Sequence, residues 1–411
     1  MLVTTQEREF IDAPGLQGKT GYATMIENRL QQELAEIAAL GLSRRRRVLE
    51  SPCGRIATVD GKKVLNFASN DYLGLAGNAE IAQAMAEGAT QWGAGSGASH
   101  LVSGHLAPHE ALEKEIAAFV GFPRALTFST GYLANLAVTP TLAGRGDAVF
   151  ADKLNHASLI DAMQLAKAQG AETQRYPHND MAALEKLLAA STAANKIIVT
   201  DAVFSMDGDL APLPLLFALA ERYDAWLVID DAHGFGVLGP QGKGSLAHFN
   251  LPASPRILLM GTLGKAAGVG GAFVAGSATA IEFLLQKGRS YIFTTAAPPA
   301  IACALSKSLQ LIEHGNALRT NLLARISQLR DGLSGLPWQL LASATAIQPL
   351  VVGDNEAAVA LAKGLWERGL WVPAIRPPTV PKGTARLRIC VSAAHTAADI
   401  DQLIQALKEL A

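Results

Sequence analysis

Trp226-Leu-Val-Ile-Asp-Asp-Ala-His-Gly-Phe-Gly236 is an apolar run that breaks into two acids, a histidine and two glycines. Trp226–Ile229 shows no alternation of apolar and polar residues, so it reads as a strand buried on both faces. Such strands belong to parallel sheets covered by helices. The residues that follow sit at the strand's carboxyl end, where open α/β sheets collect ligands. Outward on either side, Ala125-Leu-Thr-Phe128, Ala148-Val-Phe150, Ile197-Ile-Val-Thr200, Ile257-Leu-Leu-Met260 and Gly271-Ala-Phe-Val-Ala275 are similar runs separated by helical stretches. From 125 to 277 the pattern predicts α/β structure, a mostly parallel sheet flanked by helices.

The flanks are read the same way. Residues 1–20 carry Pro14, Gly15 and Gly18 and show no sustained period, which predicts a loose arm. Leu30, Leu34, Ile37 and Leu40 recur at helical spacing until Gly41, ahead of Arg44-Arg-Arg-Arg47. After Pro298-Pro299, helical periods lead to strands at Ile347–Val352, Trp371–Ile375 and Arg386–Val391, with helices at 356–368 and 397–410, the last capped by Thr396. The expected organisation is an N-terminal arm and helix (1–65), a large α/β domain (66–300) and a smaller α+β C-terminal domain (301–411), the last completed by N-terminal residues.

Composition narrows the function classes. Of 411 residues, 49% are apolar and 17% charged, enough apolar surface for a well-buried globular chain. With 35 basic and 36 acidic side chains the net charge is -1, so no overall field favours nucleic acid or an anionic membrane. Cys53, Cys303 and Cys390 are odd in number and without metal-ligand spacing, and they read as reduced thiols. No signal peptide or apolar run of membrane-spanning length is visible, so a soluble cytoplasmic protein is expected.

Gly261-Thr-Leu-Gly-Lys-Ala-Ala-Gly268 places Lys265 just past the strand Ile257–Met260. A lysine at a strand mouth, with an acid and a histidine on a neighbouring strand, is what pyridoxal phosphate chemistry needs. The amine condenses with the cofactor aldehyde, Asp230 pairs with the pyridinium nitrogen and His233 holds the ring oxygen. Burial would depress the lysine pKa and make it a usable nucleophile and base. Paired Asp with His also suits a divalent metal, but no third or fourth ligand appears at matching spacing. Gly131 and Tyr132 open a helix after the strand 125–128, where free N–H groups attract a phosphate. Thr262 can reach the same phosphate, and His156, at a helix start, can stack on a flat ring. Gly93-Ala-Gly-Ser-Gly97 reads as a turn or as backbone close to a ligand.

Several longer strings carry a family likeness. Asn66-Phe-Ala-Ser-Asn-Asp-Tyr-Leu-Gly-Leu75, Ser103-Gly-His-Leu-Ala-Pro-His-Glu-Ala-Leu-Glu113, Val203-Phe-Ser-Met-Asp-Gly-Asp209, Asp230–Gly236 and Thr262-Leu-Gly-Lys265 resemble the α-oxoamine synthases, pyridoxal phosphate transferases of fold type I. Ala346-Ile-Gln-Pro-Leu350, Val352-Gly-Asp-Asn355 and Ala374-Ile-Arg-Pro-Pro-Thr-Val-Pro381 are similar to the members that condense L-alanine with a pimeloyl thioester, carried by coenzyme A or an acyl carrier protein. The resemblance implies Lys265 as the cofactor-bearing lysine, Asp230 as partner of its ring nitrogen and His156 as the stacked group. It implies Ser205 and His233 near the ring oxygen, Gly131, Tyr132 and Thr262 around the phosphate, and Thr295 reaching the phosphate of a neighbouring subunit in a homodimer. Arg388 would hold the amino-acid carboxylate, Asn70 and Thr379 would line the substrate path, and Arg44, or Arg45 one register on, would meet the distal carboxylate of the acyl chain. Other family members use glycine with acetyl or succinyl thioesters, or serine with long acyl thioesters. Phe235 and Ala266-Ala267 depart from the family pattern, and Phe235 bears on acyl-chain preference.

Overall fold

The computed structural model describes residues 20–411, and the expected arm before Thr20 lies outside the described residues. The helix Thr20–Ala39 ends before Gly41, whose φ of +64° favours glycine. Met25, Ile26, Leu30, Leu34, Ile37 and Leu40, its apolar stripe, are all exposed.

Strands β1 (Ile56–Val59) and β2 (Lys62–Asn66) form an antiparallel hairpin turned by Asp60-Gly61, both at positive φ. The large sheet is built from β3 (Arg124–Phe128), β4 (Asp147–Asp152), β5 (Glu172–Tyr176), β6 (Asn195–Asp201), β7 (Ala225–Asp230), β8 (Ile257–Thr262) and β9 (Ala272–Gly276). Its order is β3-β9-β8-β7-β6-β4-β5, parallel from β8 to β5, with β9 antiparallel to both neighbours. The six apolar runs of the sequence are the five inner strands and β3, which closes one edge. The seventh, β5, escaped them because Glu172-Thr-Gln-Arg-Tyr176 is polar and only partly buried at the sheet edge.

In the C-terminal part, β10 (Gln339–Leu340), β11 (Ile347–Gly353), β12 (Leu370–Trp371), β13 (Ala374–Ile375) and β14 (Ala385–Cys390) serve two sheets. One has the order β10-β11-β14-β13, and the other joins β12 to β2 in parallel. The single strand expected at Trp371–Ile375 is therefore two. Pro373 lacks an N–H and separates them, while its carbonyl accepts from Arg388 N at 3.1 Å. The final helix, Ala397–Leu410, starts in a capping box of Thr396 and Asp399. Arg55 Nη1 reaches both Asp399 oxygens at 2.9 and 2.8 Å, tying the N-terminal hairpin to this helix. The helix Pro299–His314 packs so closely on Ala79–Trp92 that a Cβ on Gly88 would sit 2.8 Å from Cys303 Cβ.

One partly buried ion cluster fixes the loops that lead to the site. His178 follows β5 and bridges Asp152 Oδ1 at 3.1 Å, the end of β4, and Asp209 Oδ2 at 2.8 Å, in the turn after β6. Burial pulls the imidazolium pKa down, but the two carboxylates outweigh it and raise it to about 10. Because this lies above the ordinary 6.5, the stabilisation is complete below about pH 6.5 and is lost as pH rises through about 10. His178→Ala should cost about 2 kcal/mol at pH 6, less than a fully buried pair because 26% of the His178 side chain meets solvent. Thermal unfolding of both proteins from pH 6 to 10.5 checks this; the gap in midpoint should shrink at the alkaline end.

Candidate active site

The carboxyl ends of β6, β7 and β8 converge with the amino end of the helix Gly131–Leu142 around a cavity of about 200 Å³. Lys265, His233, Asp230, His156, Gly131, Tyr132 and Thr262 all line it. Asp230 is the last residue of β7 and 3% exposed. Its Oδ1 accepts from Ala232 N at 2.9 Å and its Oδ2 from Asn135 Nδ2 at 2.7 Å. Asn135 also donates to Ser158 Oγ at 2.9 Å. The serine proton is thereby left for His156 Nδ1, 2.7 Å away, which places the imidazole's own proton on Nε2. His156 is the N-cap of Ala157–Ala168, and its backbone N–H donates to Asp201 at 2.6 Å. Loss of solvent lowers the His156 pKa and keeps the ring neutral.

Lys265 Nζ stands 2.9 Å from His233 Nε2, and His233 Nδ1 stands 2.6 Å from the Tyr72 hydroxyl. Burial lowers the lysine pKa even though Asp230 and Asp201 oppose it. Burial, then Lys265, hold His233 well below its usual pKa. Asp201 ends β6 in register with Asp230, and burial together with that neighbour pushes its carboxyl well above the ordinary range. Asp231 turns the other way: it accepts from Ser245 N at 2.8 Å and from the Ser245 hydroxyl, and burial lifts it to about 7. The acid pair of the sequence thus does not converge on one ion.

A second cavity of about 690 Å³ opens from Lys265 and His156 past Asn70, Ser205, Thr379 and Arg388. Arg388, on β14, is 6% exposed and donates to Ser205 O at 2.6 Å, Asn70 Oδ1 at 3.0 Å and Cys390 Sγ at 2.9 Å. Ser205 enters through its carbonyl and borders this outer space rather than the inner cavity. Pro378 and Thr379 form a wall shared with a third cavity of about 430 Å³, lined by Arg44, Ile37, Leu42 and Arg376. Arg45 lies instead in an adjoining groove with Arg47, Trp366 and Trp371, which shares Ala374 and Arg376 with the third cavity. Thr295 lines none of these three cavities; it bridges to Ser99. Phe235, the departure from the family pattern, is core, with its ring 5.0 Å from Phe273 and 5.8 Å from Phe119. A larger groove of about 990 Å³ lies at the opposite, amino-terminal edge of the strands, beside Asp147, Asn195 and Trp226, and none of the candidate residues line it.

Tyr72, Asn135, Asp201 and Cys390 belong to the site but were not singled out in the sequence. Asp201 carried the same signal as Asp230, an acid closing an apolar strand. Asn135 lies one helical turn beyond Gly131, which faces it to the same side.

The donor set suits pyridoxal phosphate. The inner cavity is smaller than the roughly 300–1,000 Å³ of whole-ligand pockets, so it takes a single substituted ring. A buried acid closes one end and the helix amino terminus the other, where Thr130 caps Leu133 N and leaves the first N–H groups for an anion. A Cβ on Gly131 would meet only ordinary contact, 3.5 Å from Met260 Cε, so packing does not demand glycine there and the space belongs to the cavity.

Residues 62–407 match the family model described as aminotransferase class I and II. The chain is 86% identical to an 8-amino-7-oxononanoate synthase of Dechloromonas aromatica (strain RCB) over 94% of this chain and 100% of that protein. Among solved structures, a serine palmitoyltransferase variant from S. paucimobilis with a bound pyridoxal phosphate–myriocin adduct is 29% identical, with a TM-score of 0.86 over 96% of this chain and 98% of that one. An 8-amino-7-oxononanoate synthase from Francisella tularensis is 30% identical, with a TM-score of 0.73 over 84% and 97%. The fold, the cavity and these likenesses agree: the chain belongs to the aminotransferase class I and II family of fold type I pyridoxal phosphate enzymes, within the 8-amino-7-oxononanoate synthases.

Proposed function

We propose that the chain joins L-alanine to a pimeloyl thioester, releasing carbon dioxide and the free thiol and leaving 8-amino-7-oxononanoate, the chemistry of biotin biosynthesis. Lys265 would hold the cofactor aldehyde, Asp230 its ring nitrogen, His156 its ring face, His233 its ring oxygen, and Gly131, Tyr132 and Thr262 its phosphate. When bound, pyridoxal phosphate supplies an electron sink that acidifies the amino-acid Cα–H. The chain's own residues do the rest. Arg388 orients the alanine carboxylate with its fork, already aimed by Asn70, Ser205 and Cys390. The Lys265 amine, kept neutral by burial, takes the Cα proton and later returns one. Asp230, held by Asn135 and Ala232 N, aims its carboxyl group where a protonated ring nitrogen would lie.

The observation that carries the acyl assignment is the wall of Pro378 and Thr379 shared between the cavity at Lys265 and the one at Arg44. Ile37 and Leu42 offer apolar surface for the methylene chain, and Arg44 offers a cation for its far carboxylate. Arg44 lines this cavity itself while Arg45 lines the adjoining groove, which favours Arg44 for this role. Arg44→Ala should raise the KM for the pimeloyl thioester about 10–100-fold and leave alanine binding unchanged. It should spare an unbranched acyl thioester that lacks the terminal carboxylate. Equal loss with both donors would overturn the placement.

A homodimer fits the same reading. Leu101, Val102 and Phe293 are exposed near Thr295, together with the stripe on Thr20–Ala39. Thr295 would then complete a neighbouring subunit's phosphate site. No helix of the described residues is long and apolar enough to cross a membrane, and the free thiols Cys53, Cys303 and Cys390 suit the cytoplasm.

A further inference from the structure

The polar groups at the heart of the site form one unbroken string. Arg388 Nη1 donates to Asn70 Oδ1 at 3.0 Å; the Tyr72 hydroxyl lies 3.0 Å from that same oxygen and 2.6 Å from His233 Nδ1; and His233 Nε2 lies 2.9 Å from Lys265 Nζ. Tyr72 is 1% exposed and has one hydroxyl proton for two neighbours. Asn70 Oδ1 can only accept, and its two lone pairs take both a guanidinium proton and the tyrosine proton. The phenol oxygen in turn accepts from His233 Nδ1–H.

That choice decides the rest. With Nδ1 donating, the neutral His233 carries its proton there and presents the bare Nε2 to Lys265 Nζ. Facing an acceptor, Nζ is held through one of its own N–H groups, which leaves the lone pair of the neutral amine free as nucleophile. We propose that Tyr72 is a positioning residue: it locks the His233 tautomer and, through Asn70, links the Arg388 fork to the state of the Lys265 amine. This rests on the roles of Lys265 and His233 given under Proposed function. Burial supports it by pushing the phenol pKa up, so that Tyr72 stays a donor across the working range. The turn carrying Tyr72 is rigid, since Asp71 accepts from Leu75 N at 2.8 Å and Ala76 N at 3.1 Å. The charged or titratable groups facing the His233–Lys265 pair are Asp201 from β6, Asp230 from β7, His156, Arg388 and Cys390. All remain in a Tyr72→Phe variant, so any change traces to the lost hydroxyl.

The test is the visible absorbance of the cofactor-loaded protein titrated with pH, for wild type, Tyr72→Phe, His233→Asn and the double variant. Tyr72→Phe should keep its cofactor and thermal midpoint yet move the pH midpoint of the absorbance change by about one unit. It should lower kcat about tenfold, with little change in the KM for alanine. In the His233→Asn background, where no tautomer exists to lock, the same substitution should move the pH midpoint no further. An unmoved midpoint in Tyr72→Phe, or an equal shift in both backgrounds, overturns the proposal. If the wild type shows no lysine-dependent band, the assignment of Lys265 itself fails, which is a separate result.

Discussion

Lys265→Ala should lose turnover by about 10⁵-fold or more, because in the proposed mechanism one side chain serves both as the covalent anchor and as the proton carrier. No neighbour can substitute. His233, the nearest titratable group at 2.9 Å, is held well below its normal pKa by burial and by the lysine itself, and its other nitrogen is occupied by Tyr72. His156 stands across the cavity with its Nδ1 committed to Ser158. The visible band of lysine-bound cofactor should vanish together with turnover. The fold should persist, since the Lys265 side chain bonds only to His233 among the described residues, its carbonyl bond from Gly268 N does not depend on the side chain, and Leu263, Ala266 and Ala267 on either side remain in the core. Single-turnover assays with alanine and the thioester, beside an absorbance scan, check this; activity within tenfold of wild type would refute the assignment.

Arg388→Ala should raise the alanine concentration for half-saturation by roughly 10²–10³-fold, the scale of a buried charge partner removed from a carboxylate. Three acceptors lose a donor at once, Ser205 O, Asn70 Oδ1 and Cys390 Sγ, although Asn70 Oδ1 keeps the Tyr72 hydroxyl. Part of the effect is therefore a stability loss of about 1–3 kcal/mol. Arg388→Lys separates the two causes. A lysine keeps the charge but not the planar fork, so it should recover stability more fully than alanine affinity. Absorbance titration of the loaded protein with alanine reads affinity, and thermal unfolding reads stability. An unchanged alanine affinity in both variants would mean the carboxylate is held elsewhere.

The sheet and its site were legible to different depths. Trp226–Ile229 and Ile257–Met260 announced buried parallel strands because neither face could tolerate polar groups. A ligand edge follows from that topology alone, so Asp230, Lys265 and His156 could be placed on it from their positions just past strand ends. The split of Trp371–Ile375 was not legible, because both halves are apolar and only their partners, β2 and β14, differ. β5 was hidden by its polar edge composition. The stripe on Thr20–Ala39 was read correctly as one face of a helix, but not what the chain leaves against it.

The amino-acid sequence by itself determined the layered α/β architecture and the strand-end location of the candidate site, because hydrophobic period and local spacing are one-dimensional properties. Only the tertiary structure decided which groups share a proton. Tyr72 and His233 are separated by 161 residues, and Arg388 and Asn70 by 318, yet each pair lies within hydrogen-bond distance. It also turned Asp231 away from the cavity and Arg45 away from Arg44, since neighbours along a strand or an extended segment point to opposite sides. Hydrogen bonds act over about 3 Å, and no spacing along the chain encodes that distance until the sheets have packed.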